Sequence, residues 1–272
     1  LMAYPYARLP CDARPCEGRI AHDPVAARRL LTEAGRHRLR MKSRRIAGRL
    51  SETVSKNCYL ASYSNYEDMC STESDGRRQL FYEEVMTALG YSRNTAQFRH
   101  VAERVPISVL PEKTDAARTA LLAAGSFEEW DRTSYRPNNT PEHRLEKAAE
   151  IFTETSVMSM MDADAFDGKR CRMVRDMTPR HCLGRGRAAA IIANVIVPWA
   201  MAEGRIDEAP EWLPPEDISD PVRLTAFRMF GRDHNPAAFY STNGLLIQGL
   251  LQIHRDYCLQ MHPDCSECRL AT

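Results

Sequence analysis

The sequence has little lysine, almost no net charge and no long apolar run. Of 37 basic residues in the 272-residue chain, five are lysines (Lys42, Lys56, Lys113, Lys147 and Lys169) and the rest are arginines. With 36 acidic residues the formal net charge is +1, so bulk electrostatics selects no partner. No apolar run reaches the roughly 20 residues of a membrane-spanning helix. The longest candidate, 188–202, contains Asn194 and Pro198. A charged-then-apolar leader is missing at the start, and the chain opens on Leu1, as a processed or trimmed piece of a longer protein would. Sustained period-two alternation, internal repeats and low-complexity tracts are absent. So are a G-x-S-x-G elbow, a P-loop and an H-E-x-x-H pair, which removes several common enzyme classes.

The remaining composition is that of a globular protein, 43% hydrophobic and 27% charged. A chain of this length buries enough surface to fold without disulfides. Nine cysteines are an odd number and do not make a complete disulfide framework. Cys11, Cys16, Cys58, Cys70, Cys171 and Cys182 are scattered, whereas Cys258, Cys265 and Cys268 cluster. A reducing cytoplasm and a metal site fit this better than secretion. The arginines concentrate in two strips. Residues 28–49 carry nine basic residues against Glu33 alone, and 170–187 carry six arginines against Asp176. A GC-rich genome and phosphate recognition both account for arginine over lysine. Each strip reads as a solvated helix face or an anion-binding surface.

Helical spacing predicts helices over 24–53, 80–89, 95–104, 113–124, 141–155, 187–201, 220–230 and 243–257. Gly90 and Gly125 serve as stops, Thr140 as an N-cap before Pro141, and Pro198 as a bend. Residues 61–77 are polar and read as a loop, and 207–221, with four prolines, as extended surface. The fold class is all-α, with an N-terminal helical region over 1–135 and a C-terminal one over 136–272.

Two stretches carry chemistry. In Cys258-Leu-Gln-Met-His-Pro-Asp-Cys265-Ser-Glu-Cys268, two thiolates two residues apart can wrap one metal and a third arrives from the preceding helix. Thiolates select zinc or an iron–sulfur cluster. Three free thiols are the plainer alternative. The fourth ligand is open among His262, His254, Cys182 and a residue beyond the chain. In Leu183-Gly184-Arg185-Gly186-Arg187-Ala188-Ala189-Ala190-Ile191, a G-x-G turn feeds a small-residue helix. Glycines there let a phosphate reach backbone N–H groups at a helix N-terminus. A tight turn before a buried helix is the plainer reading.

The two stretches together resemble helix-hairpin-helix DNA glycosylases of the endonuclease-three type. The hairpin pattern G-x-G-[KR]-x-x-A is met by Gly184, Gly186, Arg187 and Ala190, and the cluster pattern C-x6-C-x2-C by Cys258, Cys265 and Cys268. The family's catalytic lysine position holds Ala188, and its catalytic aspartate has a loose counterpart in Asp207. Its fourth cysteine would fall after Thr272. The similarity covers under half of the chain. It implies DNA binding, an iron–sulfur cluster or zinc as cofactor and, in an enzyme, water-based base excision through Asp207 rather than lyase chemistry.

Nearly the whole chain also resembles the C-terminal part of an uncharacterised bacterial domain family. The resemblance rests on Leu9-Pro10-Cys11, Phe81-Tyr82-Glu83-Glu84, Ala88-Leu89-Gly90-Tyr91-Ser92-Arg93-Asn94, Phe98, Arg136-Pro137-x-Asn139-x-Pro141-x-x-Arg144, Gly186-Arg187, Asn194-Val195-x-x-Pro198, Gln248-Gly249-Leu250 and the terminal cysteines. It implies an N-terminal partner domain or chain and supplies no reaction.

The expected function is therefore nucleic-acid binding. Gly184, Arg185, Gly186, Arg187, Arg136, Asn139 and Arg144 are the contact residues, the last three alternatively forming a hydrogen-bonded structural loop; Asp207 is the candidate catalytic carboxylate, and Cys258, Cys265 and Cys268 are the metal ligands. The alternatives are a helical scaffold or interaction domain with a structural metal, and a redox protein using the terminal cysteines. Glu83 and Glu84 read as acid/base carboxylates or as a wet helix face. Tyr91 to Asn94 binds an anion or caps the next helix through Asn94. His181 beside Cys182 is a metal pair or a loop residue.

Overall fold

A computed structural model describes residues 23–61, 66–90, 94–126, 130, 140–155, 157–162, 184–211, 213–230 and 240–258. Among them there is no strand. The helices are α1 (Pro24–Ala61), α2 (Tyr66–Leu89), α3 (Thr95–Arg104), α4 (Thr114–Ala124), α5 (Pro141–Glu154), α6 (Arg185–Ile191), α7 (Val197–Ala202), α8 (Asp220–Phe230) and α9 (Gly244–Ile253). A 3-10 turn, Val157–Met161, follows α5. Two π-helical turns occur, Ile192–Ile196 between α6 and α7, and His254–Cys258 after α9. No helix among the described residues is long and apolar enough to cross a membrane.

Local chemistry sets most boundaries. Asp23 Oδ1 accepts from the N–H groups of Val25 and Ala26, with Pro24 at the first helical position of α1. Thr140 Oγ1 accepts from His143 N ahead of Pro141, as expected for α5. Asn243 Oδ1 accepts from Leu245 N at the start of α9. The π turn before α7 lies where Pro198 has no N–H to give, so the ladder widens instead of breaking. Asn94 occupies the N-cap of α3, but its buried side chain makes no cap bond.

Two boundaries differ from expectation. Residues 66–77 are helical, not loop. They extend α2 with a polar first half in which Glu73, Ser74 and Asp75 are exposed, so no apolar stripe marks it. Helix α1 runs to Ala61, past 53.

The chain forms two compact units, one of residues 1–41 with 208–272 and one of 42–207. The expected boundary at 135/136 falls within the second unit. Helices α4 and α5, on either side of it, pack together, with Thr114 Oγ1 2.9 Å from Thr153 Oγ1.

In the first unit Leu31 of α1 packs with Val222, Ala226 and Met229 of α8 and with Leu246, Ile247, Leu250 and Ile253 of α9. Helices α1 and α9 meet backbone to backbone. A Cβ on Gly249 would lie 2.1 Å from Leu31 O, and one on Gly35 2.3 Å from Leu245 O. Glycine is required at both positions by space, not by φ. The second unit buries Phe81, Tyr82, Val85 and Met86 of α2 completely. Phe81 meets Trp199 of α7 edge-on at 5.1 Å, and Tyr82 meets Phe152 of α5 at 4.6 Å. Helix α2 runs antiparallel to the α6–α7 rod. Its Arg77 pairs with Glu203 just past α7, and the backbone of Ala88 meets Arg187 of α6.

Candidate nucleic-acid interface

Three of the stretches singled out in the sequence converge on the C-terminal end of α2. Arg144 Nη1 donates to Leu89 O at 2.6 Å, and Arg187 Nη1 donates to Ala88 O at 3.3 Å. Gly90 ends α2, and a Cβ there would lie 3.0 Å from Asn94 O. The last carbonyls of a helix lack intrahelical partners and carry partial negative charge, so two guanidinium groups serve them well. Arg144 is 7% exposed. Both arginines, expected as nucleic-acid contacts, act here as caps that hold the starts of α5 and α6 against α2.

Gly184 and Arg185 behave differently. Both are exposed. Gly184 is the N-cap of α6 with φ −67° and ψ 147°, a conformation open to any residue. A Cβ on it would meet nothing within 4 Å. Its carbonyl accepts from Arg187 N and Ala188 N, each at 3.0 Å. As glycine it brings no side-chain oxygen to the first-turn amides. Neither Gly184 nor Gly186 has the positive φ that a tight glycine turn often uses. Gly184 is extended and Gly186 lies inside α6. Among the described residues the left-handed glycine is Gly204, with φ 67°. The helix starts at Arg185, two residues early, because Gly184 takes the N-cap. It continues through the π turn to Ala202, as a buried helix over 187–201 requires.

No family model, curated protein or solved structure matches this chain. The resemblances described above rest on their motif residues alone. The positions of those residues in the fold therefore carry the functional argument.

Asp207 is exposed and lies five residues beyond α7. The α6–α7 rod is 18 residues long, roughly 27 Å at helical rise. Gly184 stands at one end and Asp207 follows the other, where Arg205 Nε meets Glu203 and its Nη2 meets the Met161 carbonyl at 2.5 Å. The structure does not bring the candidate carboxylate to the glycine turn. Arg136, Asn139, Cys265, Cys268, His181, Cys182 and His262 lie outside the described residues, as do 170–183 of the second arginine strip.

The first strip is largely committed within the fold. Arg36 pairs with Glu208 and Glu211, and Arg38 Nε donates to Gln248 Oε1 at 3.0 Å. Burial pushes the Arg38 guanidinium below its ordinary value, with Glu216 opposing the shift. Lys42 donates to Asn194 Oδ1 in the π turn. Glu83 and Glu84 take donors on all four carboxylate oxygens. Gln79 and Arg49 serve Glu83, and Arg49 and Arg45 serve Glu84. Carboxylates so filled are clamps, not acid/base groups. Arg40 and Arg44 remain exposed. This clamp escaped sequence reasoning, although Arg45 and Arg49, four residues apart on α1, and the acidic pair Glu83-Glu84 were its available signal.

Cys258 is buried in the first unit's core and its carbonyl accepts from Arg228 Nη1 at 2.9 Å. His254 Nδ1 lies 3.3 Å from Thr225 Oγ1. Burial, then Arg228, holds the imidazole below its ordinary value. Among the described residues no three ligand-type side chains gather to hold a metal.

Proposed function

We propose that this chain binds nucleic acid through the phosphate backbone, at the start of α6. The carrying observation is Gly184: a glycine that neither φ nor internal packing requires, exposed and without a cap oxygen. A phosphate oxygen there would accept from first-turn amides, and a β-carbon would stand in its way. Arg185 adds an exposed guanidinium at the same point. Arg144 and Arg187 act indirectly, by fixing the starts of α5 and α6. Arg136 and Asn139, just before α5, would join the contact. Such contacts carry no base information, so binding is sequence-tolerant and weakens with salt. The terminal cysteines belong to the same proposal. Cys258, Cys265 and Cys268 would hold iron–sulfur or zinc and order the chain after α9. The buried position of Cys258 suits a structural thiolate and equally a core thiol.

A titration of labelled duplex DNA at two salt concentrations tests this. Arg185→Ala should lower the salt slope by roughly one unit without loss of stability. Absence of binding at low salt would end the proposal. Metal analysis of anaerobically prepared protein tests the cysteine site. A helical interaction domain is the second reading. It is favoured by the α1 strip, whose Arg36, Arg45 and Arg49 are already paired with carboxylates.

A further inference from the structure

A cleft of about 440 Å³ opens in the first unit between the early turns of α1 and the π turn after α9. That volume is in the range of small-molecule sites. Its apolar floor includes Leu30 and Ile253, which pack with the unit's core. Charge of both signs lines it: Glu33, His37 and Arg40 from α1, and Asp256 beside Gln252 and Tyr257 from the other wall. Gln252 is the most informative of these. Its side chain is 6% exposed, yet it lines the cleft. Its Nε2 is committed to both Asp256 oxygens, at 2.9 and 2.8 Å. Among the described residues its Oε1 takes no donor. An amide oxygen open to the cleft is thus left as an acceptor beside a carboxylate, which is where an ammonium group would sit. The partner of Glu33, Arg29, contacts it at 3.1 Å with both side chains exposed, and such a pair yields easily.

We propose that this cleft binds a small, elongated zwitterion carrying an ammonium and a carboxylate, with the ammonium at Gln252 and Asp256 and the carboxylate at Arg40 and His37. A purely cationic ligand would meet Arg40, and a purely anionic one would meet Asp256 and Glu33. Along α1, Glu33 stands one turn from His37 and two from Arg40, roughly 6 and 10 Å at helical rise. A cleft of this size, with Asp256 on one wall and His37 and Arg40 on the other, suits a dipeptide or tripeptide. Tyr257 and the apolar floor would cover a side chain between them.

The test is a titration of the full chain with glycyl-leucine, followed by NMR or calorimetry, beside N-acetylglycyl-leucine and glycyl-leucinamide. The free dipeptide should bind saturably. Blocking either end should weaken binding at least fivefold, as should Arg40→Gln and Asp256→Asn, both at exposed positions, with circular dichroism unchanged. No saturable binding up to about 10 mM overturns the proposal. So does equal binding of the blocked peptides, or full affinity in both variants.

Discussion

Gly249→Ala and Gly48→Ala are the same substitution at two helix positions with opposite surroundings. In an open helix interior alanine is favoured over glycine by about 1 kcal/mol. Gly48 of α1 is exposed, and a Cβ there meets nothing within 4 Å. Gly48→Ala should therefore stabilise the chain by about that amount. At Gly249 the new carbon would lie 2.1 Å from Leu31 O and 2.8 Å from Leu31 C, both backbone atoms that cannot rotate away. Restoring contact distance needs α1 and α9 to part by about 1 Å, which places the overpacking cost near the top of its usual range, about 3 kcal/mol. After the propensity gain is deducted, Gly249→Ala should lose about 2 kcal/mol. At this chain size the expected shifts are about +2 to +4 °C in Tm for Gly48→Ala and about −4 to −8 °C for Gly249→Ala. Thermal and urea unfolding followed by circular dichroism reads both. If Gly249→Ala matches the wild type or exceeds it, the close crossing of α1 and α9 is wrong.

Three other outcomes follow from single groups. Arg144→Ala should cost about 1–3 kcal/mol by uncovering the Leu89 carbonyl, and should leave the salt slope of DNA binding unchanged; a lower slope would return Arg144 to the contact surface. Tyr82 is fully buried, its hydroxyl finds no partner among the described residues and burial pushes its pKa up, so Tyr82→Phe should be neutral or stabilising by up to about 1 kcal/mol in urea unfolding; a clear loss would mean the hydroxyl is bonded. His254 is held below its ordinary 6.5 when folded, chiefly by burial, so the unfolded chain takes up that proton first as pH falls. Its contribution is fully present above pH 6.5 and is lost from there down to the folded value. The wild-type urea midpoint should fall relative to that of His254→Gln as pH drops below 6.5 and keep a constant offset from it above; parallel profiles throughout would contradict the shift.

Most helices were legible because their ends carry chemistry. Thr140-Pro141 and Gly90 mark a start and a stop that the structure keeps. The first half of α2 was not legible, because a polar helix without an apolar stripe looks like loop. The close crossing of α1 and α9 was hidden, since Gly35 and Gly249 lie 214 positions apart. The candidate site was half legible. Arg144 and Arg187 do meet at the end of α2, but a guanidinium that caps a buried carbonyl and one that meets a phosphate have the same sequence. Only the position of the α2 end distinguishes Arg144 and Arg187 from Arg185. The acidic pair Glu83-Glu84 was ambiguous for the same reason, until donors were found on every oxygen.

The glycine at the start of α6 is tested most directly by Gly184→Ser, with DNA affinity and stability measured on the same protein. Serine adds a Cβ into open space and an oxygen suited to the N-cap, so the fold should gain a few tenths of a kcal/mol. That oxygen and Cβ compete with a phosphate for the first-turn amides, whose charged hydrogen bond is worth about 1.5–3 kcal/mol. The account predicts roughly tenfold weaker binding, or more, in a protein at least as stable as the wild type. Unchanged DNA affinity in a stable Gly184→Ser protein would contradict it.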